Sequence, residues 1–167
     1  PAVVNALSRT LRGLYDVRTG TSAAEGLAVL GREPDVAIVL SDMRMPGMNG
    51  ATFLFEARKM APETVRVLLT GQADMDDVVH AINEGNIYRF LRKPCSPDLM
   101  RATLLAAAEQ HRLVVAERQL LEQTLRGSVQ ALADALALSS PTVFGASVRV
   151  KETCTKLASK IGLKVTW

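Results

Sequence analysis

The strongest pattern along the chain is an unbroken apolar run, Val36-Ala37-Ile38-Val39-Leu40, bounded by Pro34-Asp35 before it and Ser41-Asp42 after it. A run this short with no polar alternation predicts a strand buried on both faces, as in the middle of a parallel sheet. A second buried strand is predicted from Val65 to Leu69, ending in Thr70-Gly71, and a third from about Tyr88 to Leu91, followed by Lys93-Pro94. Between these runs the periodicity is helical. A helix over 51–60 follows the loop Met45-Pro46-Gly47-Met48-Asn49-Gly50, and one over 74–84 opens with Asp74, Asp76 and Asp77 and is ended by Gly85. Those acidic residues suit the positive end of a helix dipole, which is sufficient reason for them. Upstream, Val3, Val4, Leu7 and Leu11 predict a helix over 1–13, with Pro1 in its first turn and Gly13 as its stop. Tyr15 to Arg18 is a short strand candidate, and Thr21 and Ser22 offer an N-cap to a helix over Ala23–Leu30. Alternating strands and helices specify an α/β fold with a parallel sheet and right-handed crossovers.

From Pro97 the pattern changes. Some forty residues run to Leu138 without proline and with one glycine, Gly127, and they are rich in strong helix formers. Leu121, Leu125, Val129, Leu132 and Leu136 fall on one face of the predicted helix. That stripe must be covered, either by a second copy in a coiled coil, giving a homodimer through residues 113–138, or by a downstream domain of the same chain. Ser139-Ser140-Pro141 breaks the helix, and a further helix is predicted over 146–161, ended by Gly162.

Composition narrows the class. Hydrophobic residues make up 48% of the 167, but aromatics only 4%, so the core is aliphatic, which suits helices on a parallel sheet. The net charge of +3, from 20 basic and 17 acidic residues, is small and dispersed and does not point to nucleic acid. No apolar run approaches a membrane span. Cys95 and Cys154 lie far apart without a CxxC pattern and read as reduced thiols of a cytoplasmic protein. A chain that begins at Pro1 and stops at Trp167 in mid-pattern reads as an excerpt of a longer protein.

Candidate chemistry gathers at the strand ends. Ligands of open parallel sheets sit at the carboxyl ends of the strands, and three polar residues fall there: Asp42, Thr70 and Lys93. Singly, each is an ordinary cap, turn or surface residue. Together they offer a nucleophilic carboxylate, a hydroxyl and a fixed positive charge, which suits attack of the carboxylate on phosphorus. His80 and His111 lie on predicted helices without partner ligands and read as surface or packing residues.

The segment Ser41-Asp42-Met43-Arg44-Met45-Pro46-Gly47-Met48-Asn49-Gly50 resembles the phosphoacceptor loop of response-regulator receiver domains. Leu68-Leu69-Thr70-Gly71 and Phe90-Leu91-Arg92-Lys93-Pro94 are similar to that family's fourth- and fifth-strand signatures, whose Lys-Pro bond is usually cis. The resemblance covers residues 1 to about 110. It implies a flavodoxin-like doubly wound parallel sheet followed by a long helix and a short helical segment. It also implies Asp42 as acceptor of a phosphoryl group from a sensor histidine kinase, Lys93 as phosphate contact, and Thr70 and Phe90 as the switch pair. Side chains at Arg44 and Gln72 stand where the family tunes phosphate lifetime. The cofactor implied is Mg²⁺, held by Asp42 and the backbone carbonyl of Arg44. The family's first strand and its acidic pair of metal ligands should come before Pro1 and are not in the chain; the expectation is that the natural protein supplies them upstream. Asp74, Asp76 and Asp77 are not expected to replace them.

The tail, Leu125-Arg126-Gly127-Ser128 and Phe144-Gly145-Ala146-Ser147-Val148-Arg149-Val150, resembles the opening of HD-type output domains related to HD-GYP phosphodiesterases. Catalytic members place a histidine ligand where Ala146 stands, so the chain is not expected to be an enzyme. The expected organisation is a receiver over 1–97, a linker helix over 98–138, and the start of an HD-like domain over 139–167. The alternative is a phosphorylation-independent dimerisation module.

Overall fold

The computed structural model describes residues 8, 11, 13–33, 35–71, 87–139 and 141–160. Its central element is a strand in which every residue is buried, here β2 (Val65–Thr70). It is flanked in parallel by β1 (Ile38–Asp42) on one side and β3 (Arg89–Arg92) on the other, giving the order β1-β2-β3. The helices are α1 (Ala23–Arg32), α2 (Gly50–Met60), α3 (Pro97–Ser139) and α4 (Pro141–Lys160). The chain divides into two compact units, Pro1–Ala116 and Glu117–Trp167, so α3 contributes to both.

Strand alternation sorts the core of the first unit into two layers. Val65, Val67, Leu69 and Leu91 face Met100, Leu104 and Ala107 of α3. Leu68 faces the opposite way, into a cluster with Ala23 of α1, Phe53 and Leu54 of α2, Met43 and Ile87, against which Val39 and Phe90 also pack. The sheet is therefore covered on both faces, the doubly wound arrangement. Leu54, Leu68 and Val67 are the largest fully buried apolar side chains, and burying each stabilises the fold by about 1.5–3 kcal/mol. Arg66 is a buried charge in this strand; its guanidinium donates to the Thr64 carbonyl at 2.8 Å, and desolvation, aided by nearby Arg58, lowers its pKa.

Local signals set the helix starts. The Ser22 hydroxyl caps α1 by accepting from the Glu25 amide, while Glu25 accepts from both the amide and the hydroxyl of Thr21. Those Thr21 bonds hold the Glu25 carboxyl below its ordinary pKa. The Asn49 side chain caps α2 through the Thr52 amide at 2.8 Å. Ser96 caps α3, whose first residue is Pro97, a position where the missing N–H costs nothing.

Three expectations are corrected. Tyr15–Arg18 is irregular, not a strand: no strand pairs with it among the described residues, and without a ladder an extended segment has no reason to persist. Ile38, Val39 and Leu40 are half-buried, not buried on both faces, because among the described residues β2 is the one strand paired with β1. The last helix begins at Pro141, ahead of the expected 146, because proline suits a first helical position and Gly145 is tolerated within the helix. The helices expected over 1–13 and 74–84 lie outside the described residues, except that Ser8 and Leu11 are helical. No helix among the described residues is long and apolar enough to cross a membrane.

Two substitutions test this packing. Thr103 of α3 is fully buried and its hydroxyl has no hydrogen-bond partner among the described residues. Thr103→Val keeps the shape and removes the unsatisfied group, so it should stabilise the chain by about 1 kcal/mol. Thermal denaturation should show a higher midpoint, and a lower one would refute the unsatisfied hydroxyl. A Cβ on Gly50 would lie 2.0 Å from the Asp42 carbonyl oxygen. Since backbone must move to admit it, Gly50→Ala should destabilise by about 1–3 kcal/mol in denaturant titrations; an unchanged midpoint would mean that the contact is soft.

Candidate functional site

The parallel register brings the carboxyl ends of all three strands level. Asp42, the last residue of β1, lies opposite Leu69, and Thr70, the last of β2, lies opposite Arg92. Two backbone bonds extend the ladder past the strand ends: the Met43 amide donates to the Leu69 carbonyl at 2.7 Å, and the Lys93 amide to the Thr70 carbonyl at 2.8 Å. Lys93 thus sits beside β2's terminus, one strand away from Asp42. Its side chain crosses that gap, and Nζ donates to Asp42 Oδ2 at 2.5 Å. The Lys93-Pro94 peptide is cis, as the resemblance implied.

Both carboxylate oxygens of Asp42 are engaged, since the Arg44 amide donates to Oδ1 at 3.2 Å. The Asp42 and Lys93 side chains are each about one-third exposed (32% and 33%). The pair is therefore wet enough for a ligand to reach and dry enough for the ammonium to hold its direction. A carboxylate between an ammonium and a main-chain amide can serve as a nucleophile whose product keeps two donors for new anionic oxygens.

Sequence reasoning brought together Asp42 and Lys93, and the structure joins them directly. Thr70 stands at the expected strand end, fully buried, but its hydroxyl donates to the Gly71 carbonyl at 3.1 Å. Phe90 is half-buried and packs on the cluster around Leu68, opposite which it lies in the ladder. Gln72 and the acidic residues Asp74, Asp76 and Asp77 lie outside the described residues. His111 is half-buried on α3.

Two residues gained meaning only from the coordinates. Ser41 is buried, and its hydroxyl donates to the Asp42 carbonyl at 3.0 Å and lies 3.7 Å from Met45 Sδ. Gly50 packs flat against that same carbonyl, while its amide donates to the Met43 carbonyl at 2.8 Å. The loop between Asp42 and α2 is thus closed on itself, with Gly47 at φ 81° making its turn. An obligate glycine eight residues after an aspartate was the signal in the sequence for this contact.

Mg²⁺ needs several oxygen ligands in near-octahedral order. Among the described residues no three His, Cys, Asp or Glu side chains cluster, and Asp42 supplies one carboxylate whose Oδ2 is on Lys93. These donors alone do not make a magnesium site.

Comparison with known proteins agrees with this geometry. The family model for the response regulator receiver domain matches residues 1–105. The hydrogenase transcriptional regulatory protein HoxA of Cupriavidus necator is 42% identical over 105 residues, which is 63% of this chain and 22% of that protein. The chain therefore spans under a quarter of that relative's length. Among solved structures, an adenylate cyclase from Rhodopirellula baltica superimposes with a TM-score of 0.70 at 36% identity, covering 72% of this chain and 90% of that one. The signal receiver domain of an HD domain-containing protein from Pseudomonas fluorescens gives 0.64 at 33% identity, covering 71% and 85%. Strand order, the Asp42–Lys93 pair and these matches lead to one conclusion: this chain belongs to the response regulator receiver family.

Proposed function

We propose that Asp42 accepts a phosphoryl group from a sensor histidine kinase and that this charge switches the surface of the receiver. The observation that carries the reading is the direct Lys93–Asp42 contact across the strand ends. A carboxylate oxygen of Asp42 forms the new bond to phosphorus as the bond to the kinase's phosphohistidine breaks. Lys93 and the Arg44 amide then bind phosphoryl oxygens, since phosphoryl transfer is chiefly positioning and charge neutralisation. Thr70 exchanges its bond to Gly71 for one to the phosphoryl group. The space it leaves is taken up by Phe90, on the neighbouring strand.

Mg²⁺ is the implied cofactor; it would neutralise phosphoryl charge with Asp42 and the Arg44 carbonyl, once further carboxylates are supplied by a segment upstream. The receiver comprises residues 1–97, the linker helix 98–138, and the start of an HD-like output domain 139–167. The receiver of an HD domain-containing protein among the structural neighbours supports that last assignment. Ala146, where catalytic members carry a histidine, argues that the chain itself is a regulator and not a phosphodiesterase. The chain acts as a homodimer through residues 113–138, in the cytoplasm and without binding nucleic acid. A second reading, a dimerisation module that takes no phosphate, is favoured by one observation: among the described residues no three His, Cys, Asp or Glu side chains cluster to hold a metal ion.

Intact mass after incubation with Mg²⁺ and acetyl phosphate tests the choice. The chain should gain one phosphoryl group, Asp42→Asn should gain none, and Lys93→Ala should react about 10²-fold more slowly. Equal uptake by Asp42→Asn would move the acceptor elsewhere. No uptake by the parent chain, even with the family's first strand joined upstream, would establish the second reading.

A further inference from the structure

Within the second unit, Leu121, Leu125, Val129, Leu132 and Leu136 are each between 59% and 67% exposed. The neighbouring α4 leaves all five uncovered. Their spacing is unlike that of an ordinary coiled coil. Leu121 and Leu132 are eleven residues apart, and so are Leu125 and Leu136, with Val129 filling the step between. A seven-residue seam through Leu121, Leu125 and Leu132 would instead use Ser128 and Ala135. An eleven-residue repeat averages about 3.67 residues per turn, slightly more than the helix itself, and gives a gentle right-handed supercoil.

We infer that this stripe is the contact face for a second copy of the chain, with the two α3 helices parallel and in register on an eleven-residue repeat. The inference rests on the dimer reading above and specifies its geometry. Three features favour a second copy as occupant. The residues bordering the stripe from 128 onward are Ser128, Ala133, Ala135 and Ser139, all short and uncharged, so two helices can approach closely without stripping water from a charge. Asp134 lies on the opposite side of the helix, bonded to Gln130 at 2.8 Å. At the amino end of the stripe, Arg118 and Glu122 already neutralise each other at 2.8 Å, so two copies meet as neutral pairs and not as like charges. Direction follows from the layers. A parallel pair sets each apolar residue against its own counterpart, whereas an antiparallel pair that matches Leu125 with Leu132 sets Val129 against Ser128.

Sedimentation and oxidative cross-linking of the full chain test this, in a Cys95→Ser, Cys154→Ser background with one new cysteine at a time. The parent should sediment as a dimer. Val129→Cys and Leu136→Cys should cross-link about tenfold faster than Ser128→Cys and Ala135→Cys, because a disulfide needs Cβ atoms within about 3.5–4.5 Å. Asp134→Cys should not cross-link. The double variant Leu125→Asp, Leu132→Asp should sediment as a monomer and keep the thermal transition of the receiver. A monomeric parent would overturn the inference together with the dimer reading. A dimer that cross-links through Ser128→Cys and Ala135→Cys, or through Asp134→Cys, would overturn the eleven-residue face and leave the dimer reading standing.

Discussion

Everything in the receiver is referred to β2. Among the described residues it is the strand with a neighbour on each side, its six residues are all buried, and it supplies side chains to the layers on both faces. Because its two ladders are parallel, the strands end together, and whatever residues follow those ends are brought within reach of one another. The Asp42–Lys93 contact is a by-product of that alignment. The two residues are 51 apart in sequence, and no local preference would bring them together. A slip of one residue in either ladder would also turn Leu68 and Leu69 to the wrong faces. The packing that stabilises the fold is thus the same constraint that keeps the carboxylate and the ammonium aligned.

The electrostatics at the strand ends follow from incomplete burial. With about two-thirds of each side chain covered, the pair avoids the desolvation penalty of a fully buried ion pair, yet is held more firmly than one on an open surface. Thr70 differs in this respect. It is wholly enclosed and its hydroxyl is held by the Gly71 carbonyl, so any movement toward Asp42 exchanges one partner for another. Small differences between such partners are enough to bias a two-state element.

Much of this was legible in the chain itself, where one physical rule dominated. Val65–Thr70 is apolar enough to admit only a buried strand, and the 43 residues of α3 have no breaker but Gly127. The loop after Asp42 was readable because its proline, glycines and asparagine each answer a backbone need. The errors arose where a segment depends on its neighbours. Tyr15–Arg18 has the composition of a strand, but being a strand requires a ladder, and composition cannot supply one. Val36–Leu40 has the composition of a central strand, yet its burial is set by how many strands lie beside it. Ser41 was invisible as a positioning group because a serine before an aspartate has many ordinary uses. Only coordinates show its hydroxyl turned onto the carbonyl of Asp42.

The closed loop between β1 and α2 bears on what can change beside Asp42. Its two ends are fastened at the base, Met43 to Leu69 on one side and Gly50 to Met43 on the other. Between those ends Met45 and Met48 pack against the cluster around Leu68, whereas Arg44, Pro46 and Gly47 are exposed. The exposed side chain of Arg44, two residues from Asp42, can therefore change at little cost to the packing beneath it. At that position the surroundings of the carboxylate and the architecture that holds it are separable: one can be altered while the other stays as it is.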